Sequence, residues 1–207
     1  MLGLGLMLSN FILFAQSVND VFNKDVPVIW MGLDFTGVIF IGDRDKFGST
    51  SDLRYLMETW NDLMDREKDK YNVAKATRRK KVEFALDVTK DFNTGIDPVG
   101  LFSEKSADYF HLNPPDVEEI IRNYDFKNYS SGIGLMFVVE SFNKLNEQAS
   151  IYVTFINLSD RSVLFTERLT GNPGGMGLRN YWAGAIRNVM EKMGGKEFER
   201  WRKKYYR

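Results

Sequence analysis

The chain has 207 residues, 28 Lys+Arg against 28 Asp+Glu, and no cysteine. A net charge of zero gives no global field to draw it to nucleic acid. Without cysteine there is no zinc ribbon, iron–sulfur site, thiol nucleophile, disulfide or lipid-bearing amino-terminal Cys.

Met1 to Ala15 reads MLGLGLMLSNFILFA and carries no charge. The stretch is shorter than the roughly 20 residues a membrane-spanning helix needs. It has the form of the apolar core of a secretion signal, with Ala15 as the small residue at the cut and Leu13 larger than usual. Residues 1–15 are therefore expected to be a removed signal peptide, residues 16–195 a single α/β domain and residues 196–207 a basic aromatic tail helix. The expected location is the periplasm or the outside of the cell.

After Val26 the chain reads PVIWMGLDFTGVIFIGD, a long or broken buried strand punctuated by glycines. Ser49-Thr50-Ser51-Asp52 offers a capping box, and Leu53, Leu56, Met57, Trp60, Leu63 and Met64 follow at helical spacing. Val82, Phe84, Leu86 and Val88 alternate with polar or small residues and predict a half-buried strand. Asp91 to Phe110 reads as a loop. Asn113-Pro114-Pro115-Asp116 starts a helix with Val117, Ile120, Ile121 and Tyr124 on its apolar face. Strands are predicted over Ile133 to Phe142, Ala149 to Leu158 and Ser162 to Thr170, the last two joined as a hairpin. A last helix carries Leu178, Tyr181, Trp182, Ala185, Ile186, Val189 and Met193, and Gly194-Gly195 stops it. The order β-α-β-α-β-β-β-α predicts an α/β (α+β) fold, a mixed, largely antiparallel sheet packed by about three helices.

Candidate chemistry is sparse. Asp43 and Asp45 have the opening spacing of a calcium loop, but Phe47 sits at a ligand position and Arg54 stands where a bidentate Glu is required. A solvated turn is the expectation there. Asp34, Asp43 and Asp45 would form a carboxylate cluster for a small-ligand binder or hydrolase if the fold gathered them at one sheet end. His111 is the single histidine, which leaves no multi-histidine metal site. No catalytic residue, metal ligand or cofactor is assigned.

Two stretches suit contact with a partner. Gly174, Gly175 and Gly177 open the last helix; such glycines ordinarily supply a tight turn, and the functional alternative is an anion or partner held on free N–H groups beside Arg179. In the tail, Phe198, Trp201 and Tyr205 share a helical face among basic residues. That face either packs on its own domain or meets a membrane surface or partner. On the second reading, deleting Lys196 to Arg207 leaves the fold intact.

By element order the chain resembles the amino-terminal domain of TolB-type periplasmic proteins and the core of curli-secretion-type lipoproteins. The closest parts are IYVTFINLSDRSVLFTERLTGN and GLRNYWAGAIRNVM. The resemblance covers most of the expected mature chain without a diagnostic motif. It implies a non-enzymatic module of the bacterial envelope that works by contact with another envelope protein, with peripheral membrane contact as a second use. Neither the partner nor the oligomeric state is written in the sequence.

Overall fold

The computed structural model describes residues 16–126 and 128–207; the expected signal peptide lies outside the described residues. The expected long strand is two pieces, β1 (Val28–Asp34) and β2 (Ile39–Ile41). Both lie parallel to β5 (Ile133–Asn143) on the same side of it, Asp34 opposite Val138 and Ile39 opposite Ser141. They act as one strand interrupted by a turn. Short strands β3 (Glu83–Phe84) and β4 (Phe102–Ser103) add, also in parallel, outside β1 and β2. On the far side of β5, β6 (Gln148–Asn157) and then β7 (Ser162–Gly171) add antiparallel.

Four of the six strand pairings are thus parallel, which overturns the expectation of a largely antiparallel sheet. The cause is the double use of β5. Its hairpin partner β6 is legible from short spacing, but its other edge receives β1 and β2 through helical crossovers, as parallel neighbours require. Every residue of β5 is buried, as suits a strand covered on both faces.

The helix count is also corrected. α1 (Thr50–Arg66), α2 (Val73–Ala76), α3 (Asp87–Thr94), α4 (Pro114–Arg122), α5 (Leu178–Lys192) and α6 (Phe198–Tyr205) replace the expected three or so, and five of them have eight residues or more. One face of the sheet packs on Leu53, Met57 and Trp60 of α1, Trp182 and Ile186 of α5, and Phe198 and Trp201 of α6. The other face takes Val88 of α3 and Val117 and Ile121 of α4.

The half-buried strand expected over Val82 to Val88 is cut short. Only Glu83 and Phe84 pair with β1, opposite Ile29 and Trp30, so the backbone of β1 beyond them has no ladder partner on that edge. Buried polar side chains take over, because unpaired buried amides are costly. Asn61 of α1 accepts from Leu33 N at 2.7 Å and donates to Leu33 O at 3.0 Å. Asn93 of α3 donates to the same carbonyl and accepts from Phe35 N, and Thr89 donates to Met31 O. Thr89 and Asn93 sit one turn apart on α3, on the side that faces β1.

Two bulges reset which side chains point inward. At Gly32 the register of β1 slips, so Trp30 and Leu33 enter the same core although three residues apart. Gly32 has φ +97°, and a Cβ there would lie 2.6 Å from Asn61 Oδ1. On β5 the slip falls between Val139 and Ser141, leaving Glu140 as the extra residue.

Candidate docking groove at the edge of β7

The carboxylates Asp34, Asp43 and Asp45 are not brought together. Asp34 ends β1 fully buried, accepting from Tyr124 Oη and from Thr36 Oγ1 at 2.8 Å. Burial raises its pKa, against the lowering by the Tyr124 and Thr36 hydrogen bonds. The Tyr124 phenol is held neutral by burial and by the same carboxylate. Asp43 and Asp45 are exposed in a turn where Asp43 Oδ1 accepts from Asp45 N at 3.1 Å. Asp34 lies opposite Val138, whereas Ile41, at the end of β2, lies opposite Asn143. That offset along β5 amounts to about 17 Å at the rise of a strand. A shared acid/base site is thereby removed.

The glycine turn is folded onto its own helix. Gly174 N–H donates to Tyr181 O at 2.9 Å, and a Cβ on Gly184 would lie 2.1 Å from Gly174 O. Gly175 and Gly177 have positive φ, +123° and +78°, which explains glycine at both. Arg179 turns its Nε to Asn180 Oδ1 and accepts Trp60 Nε1–H on its carbonyl. The tail residues are a correction. Phe198 and Trp201 are buried, and half-buried Tyr205 stacks on Phe165 with ring centres 4.6 Å apart. Phe198 and Trp201 are thus covered by the domain, and of this face only part of Tyr205 is open to a partner. His111 is held locally, with its ring nitrogens against Gly37 O and Asp108 O.

The most constrained polar centre is the bulged Glu140, a carboxylate the sequence offers for acid/base pairing but whose partners it does not indicate. Its carboxylate is fully buried and receives Leu112 N–H at 2.8 Å, Ser150 Oγ at 2.6 Å, and Arg168 of β7 through Nε at 2.9 Å and Nη2 at 3.0 Å. The two Arg168 bonds form a fork, the geometry that pins a guanidinium most firmly. Arg168 Nη2 also reaches Leu112 O, and its cation sits against the rings of Phe110 and Tyr152. Tyr152 donates to Leu112 O at 3.0 Å. Nearby Tyr109, pushed up to about 12 by burial and by Glu140 against the opposing effect of Arg168, donates as a neutral phenol to Gln148 Oε1. With four donors on two oxygens, Glu140 has no lone pair left for proton transfer to a substrate. Its chemical role is to fix Arg168.

Arg168 lies at the outer edge of the sheet. Among the described residues β7 pairs only with β6, and its other edge carries no strand. A groove of about 470 Å³ runs there. Val163 to Arg168 form its floor, Pro114 and Glu118 of α4 one wall, and Lys204 and Tyr205 of α6 the other. Glu167 binds Lys204 Nζ at 2.7 Å and Tyr205 Oη at 2.6 Å and is held low chiefly by these hydrogen bonds, against burial. The Nη1 end of Arg168 has no hydrogen bond among the described residues.

No protein-family model matches the chain, and no curated protein matches its sequence. Among solved structures, lipoprotein GNA1162 from Neisseria meningitidis is similar at 14% identity over 82% of this chain and 97% of that one, with a TM-score of 0.30. A likeness that weak carries no argument about fold or role. None of these comparisons supports the TolB-type or curli-secretion resemblance specifically. Among the described residues no helix is long and apolar enough to cross a membrane, and no group of three or more His, Asp or Glu side chains is placed to hold a metal.

Proposed function

We propose that the protein is a non-enzymatic interaction module of the bacterial envelope, exported by residues 1–15, that takes an extended segment of another envelope protein onto the open edge of β7. The observation that carries this reading is the ten-residue strand with one edge unpaired beside a guanidinium already immobilised by Glu140. An extended peptide completes such an edge through main-chain hydrogen bonds, and side-chain sites along the groove select it. Arg168, fixed before binding, loses little freedom on meeting an acidic side chain or a carbonyl of that segment. Soluble proteins usually blunt a long edge to prevent promiscuous pairing. Here Lys204 and Glu118 flank the edge and serve that purpose until a matching segment arrives.

The test is photo-crosslinking in the intact envelope from an unnatural residue at Glu118 or Lys204, both exposed wall positions. One discrete adduct at both positions, with slowed amide exchange over 163–168 in the purified complex, is the expected result. Equal labelling from a control position on the exposed end of α1, such as Arg66, would remove the groove from consideration.

A further inference from the structure

We propose that the face running from Tyr206 and Arg207 across Lys24 to Lys80 and Lys81 docks on an anionic phospholipid surface. A cleft of about 880 Å³ lies between the segment Lys24 to Val28 and the segment Arg78 to Lys81. It shares Lys24 and Asp25 with a second depression bordered by Asn19, Phe22 and Tyr206, so the two form one continuous surface. Lys24, Lys80 and Lys81 are exposed and have no ion-pair partner among the described residues. Arg78 is neutralised by Glu199. Arg79 makes no ion pair among the described residues: its buried guanidinium donates to the carbonyls of Asp20, Val21, Val26 and Thr77, with Asp25 acting on it through space. In the larger cleft these four cations face only Asp25 and Glu83. Exposed Arg207, hydrogen-bonded to Asn19, adds positive charge beside it.

The place where the chain enters this face selects the partner. Asn19 Nδ2 donates to Arg207 O at 2.9 Å and Arg207 N donates back to Asn19 Oδ1 at 3.0 Å, which fixes both ends of the described chain together. The described chain therefore begins beside Lys24 and Tyr206, and the positive charge spread over this open face matches an anionic bilayer. Tyr206 is 59% exposed and supplies the aromatic body with a polar tip that suits the lipid–water boundary. A small soluble anion fits poorly, because the free cations spread along an open surface and the buried guanidinium of Arg79 is already engaged by carbonyls. The proposal rests on the envelope reading above for its setting but uses a different surface.

The test is flotation of the full chain with vesicles of phosphatidylcholine alone or mixed with phosphatidylglycerol, comparing the wild type with the variant Lys24→Glu/Lys80→Glu/Lys81→Glu. Segment 1–15 is common to both proteins, so the difference isolates the lysines. Each lysine near an anionic surface contributes about fivefold in affinity, so loss of the three should weaken binding to the mixed vesicles by roughly a hundredfold, and the introduced negative charges should weaken it further. Wild-type binding should fall with added salt, and an unchanged melting curve shows that the variant is folded. Equal binding of both proteins to the mixed vesicles would overturn the proposal. So would tight binding of heparin without vesicle binding. Partner crosslinking at Glu118 should persist in the triple variant; its loss from the wild type while vesicle binding remains would sink the β7 reading alone.

Discussion

Glu140 and Arg168 form a pair whose two halves have unequal consequences when removed. Arg168→Met leaves a carboxylate in the core with two of its four donors gone, which costs about 3–5 kcal/mol. Adding Glu140→Gln removes the stranded charge and should recover most of that loss, because a neutral amide needs no cation. Urea unfolding of both variants checks this; equal losses would mean that the ion pair holds nothing together. Asp34 gives a pH prediction of definite sign. Its folded pKa is raised, so between its unfolded and folded values the native state holds more protons than the unfolded chain. Its contribution is full at acid pH and is lost as pH rises through the folded pKa. Glu167 and Asp160, whose pKa values are lowered, act in the opposite sense and dominate the raw profile in part. The measurable quantity is therefore the difference from Asp34→Asn, whose stability relative to wild type should climb as pH rises above the ordinary carboxylate range. A flat difference would mean that Asp34 is not strained by burial. None of this was legible in the chain: residues 140 and 168, or 34 and 124, are joined only by the folded sheet.

At the scale of elements, local signals held where they were self-contained. The Ser49 capping box starts α1, with Ser49 Oγ accepting from Asp52 N, and Asn113 does the same for α4 ahead of its prolines. Strands β5, β6 and β7 fall where apolar runs and the Asp160 turn place them. The Val82 to Val88 alternation misled, because the demand for Thr89 and Asn93 against β1 comes from a strand more than fifty residues upstream and overrides the local period. The turn expected at Gly174 to Gly177 is there, with positive φ at Gly175 and Gly177, but the sequence did not show that Gly174 O packs against Gly184 on α5 and requires glycine at 184. Gly184→Ala should therefore push the turn off α5 and destabilise the protein by about 1–3 kcal/mol or more, while Gly174→Ala, where nothing lies within 4 Å of the added Cβ, should cost far less. Thermal unfolding of the two variants separates them. Similar losses would show that the turn needs glycine for backbone freedom and not for contact.

For the whole molecule, periodicity identifies an apolar face but not what covers it. Phe198, Trp201 and Tyr205 read first as a face packed on the domain and second as a membrane or partner face, and the choice was set by elements remote in sequence. Phe22 meets Phe198 edge-on at 5.5 Å and stacks on Phe165 of β7, which in turn meets Trp201 and Tyr205. The segment after the expected signal peptide, the edge strand and the last helix thus close one aromatic layer. Between α5 and α6 the backbone breaks at Gly195, and Arg78 donates to the carbonyls of Gly194 and Gly195 that the break frees. Deleting Lys196 to Arg207 would uncover Phe22 and Phe165 and remove one wall of the β7 groove. The truncated chain is therefore expected to be severely destabilised, in contrast to the harmless deletion expected of a detachable tail. Trp201→Ala alone should cost about 3–5 kcal/mol, whereas Lys203→Ala on the exposed side should change stability by less than about 0.5 kcal/mol. A truncated protein that melts with the wild-type midpoint would show that the helix is an appendage after all, and the groove would then have to be a property of β7 and α4 alone.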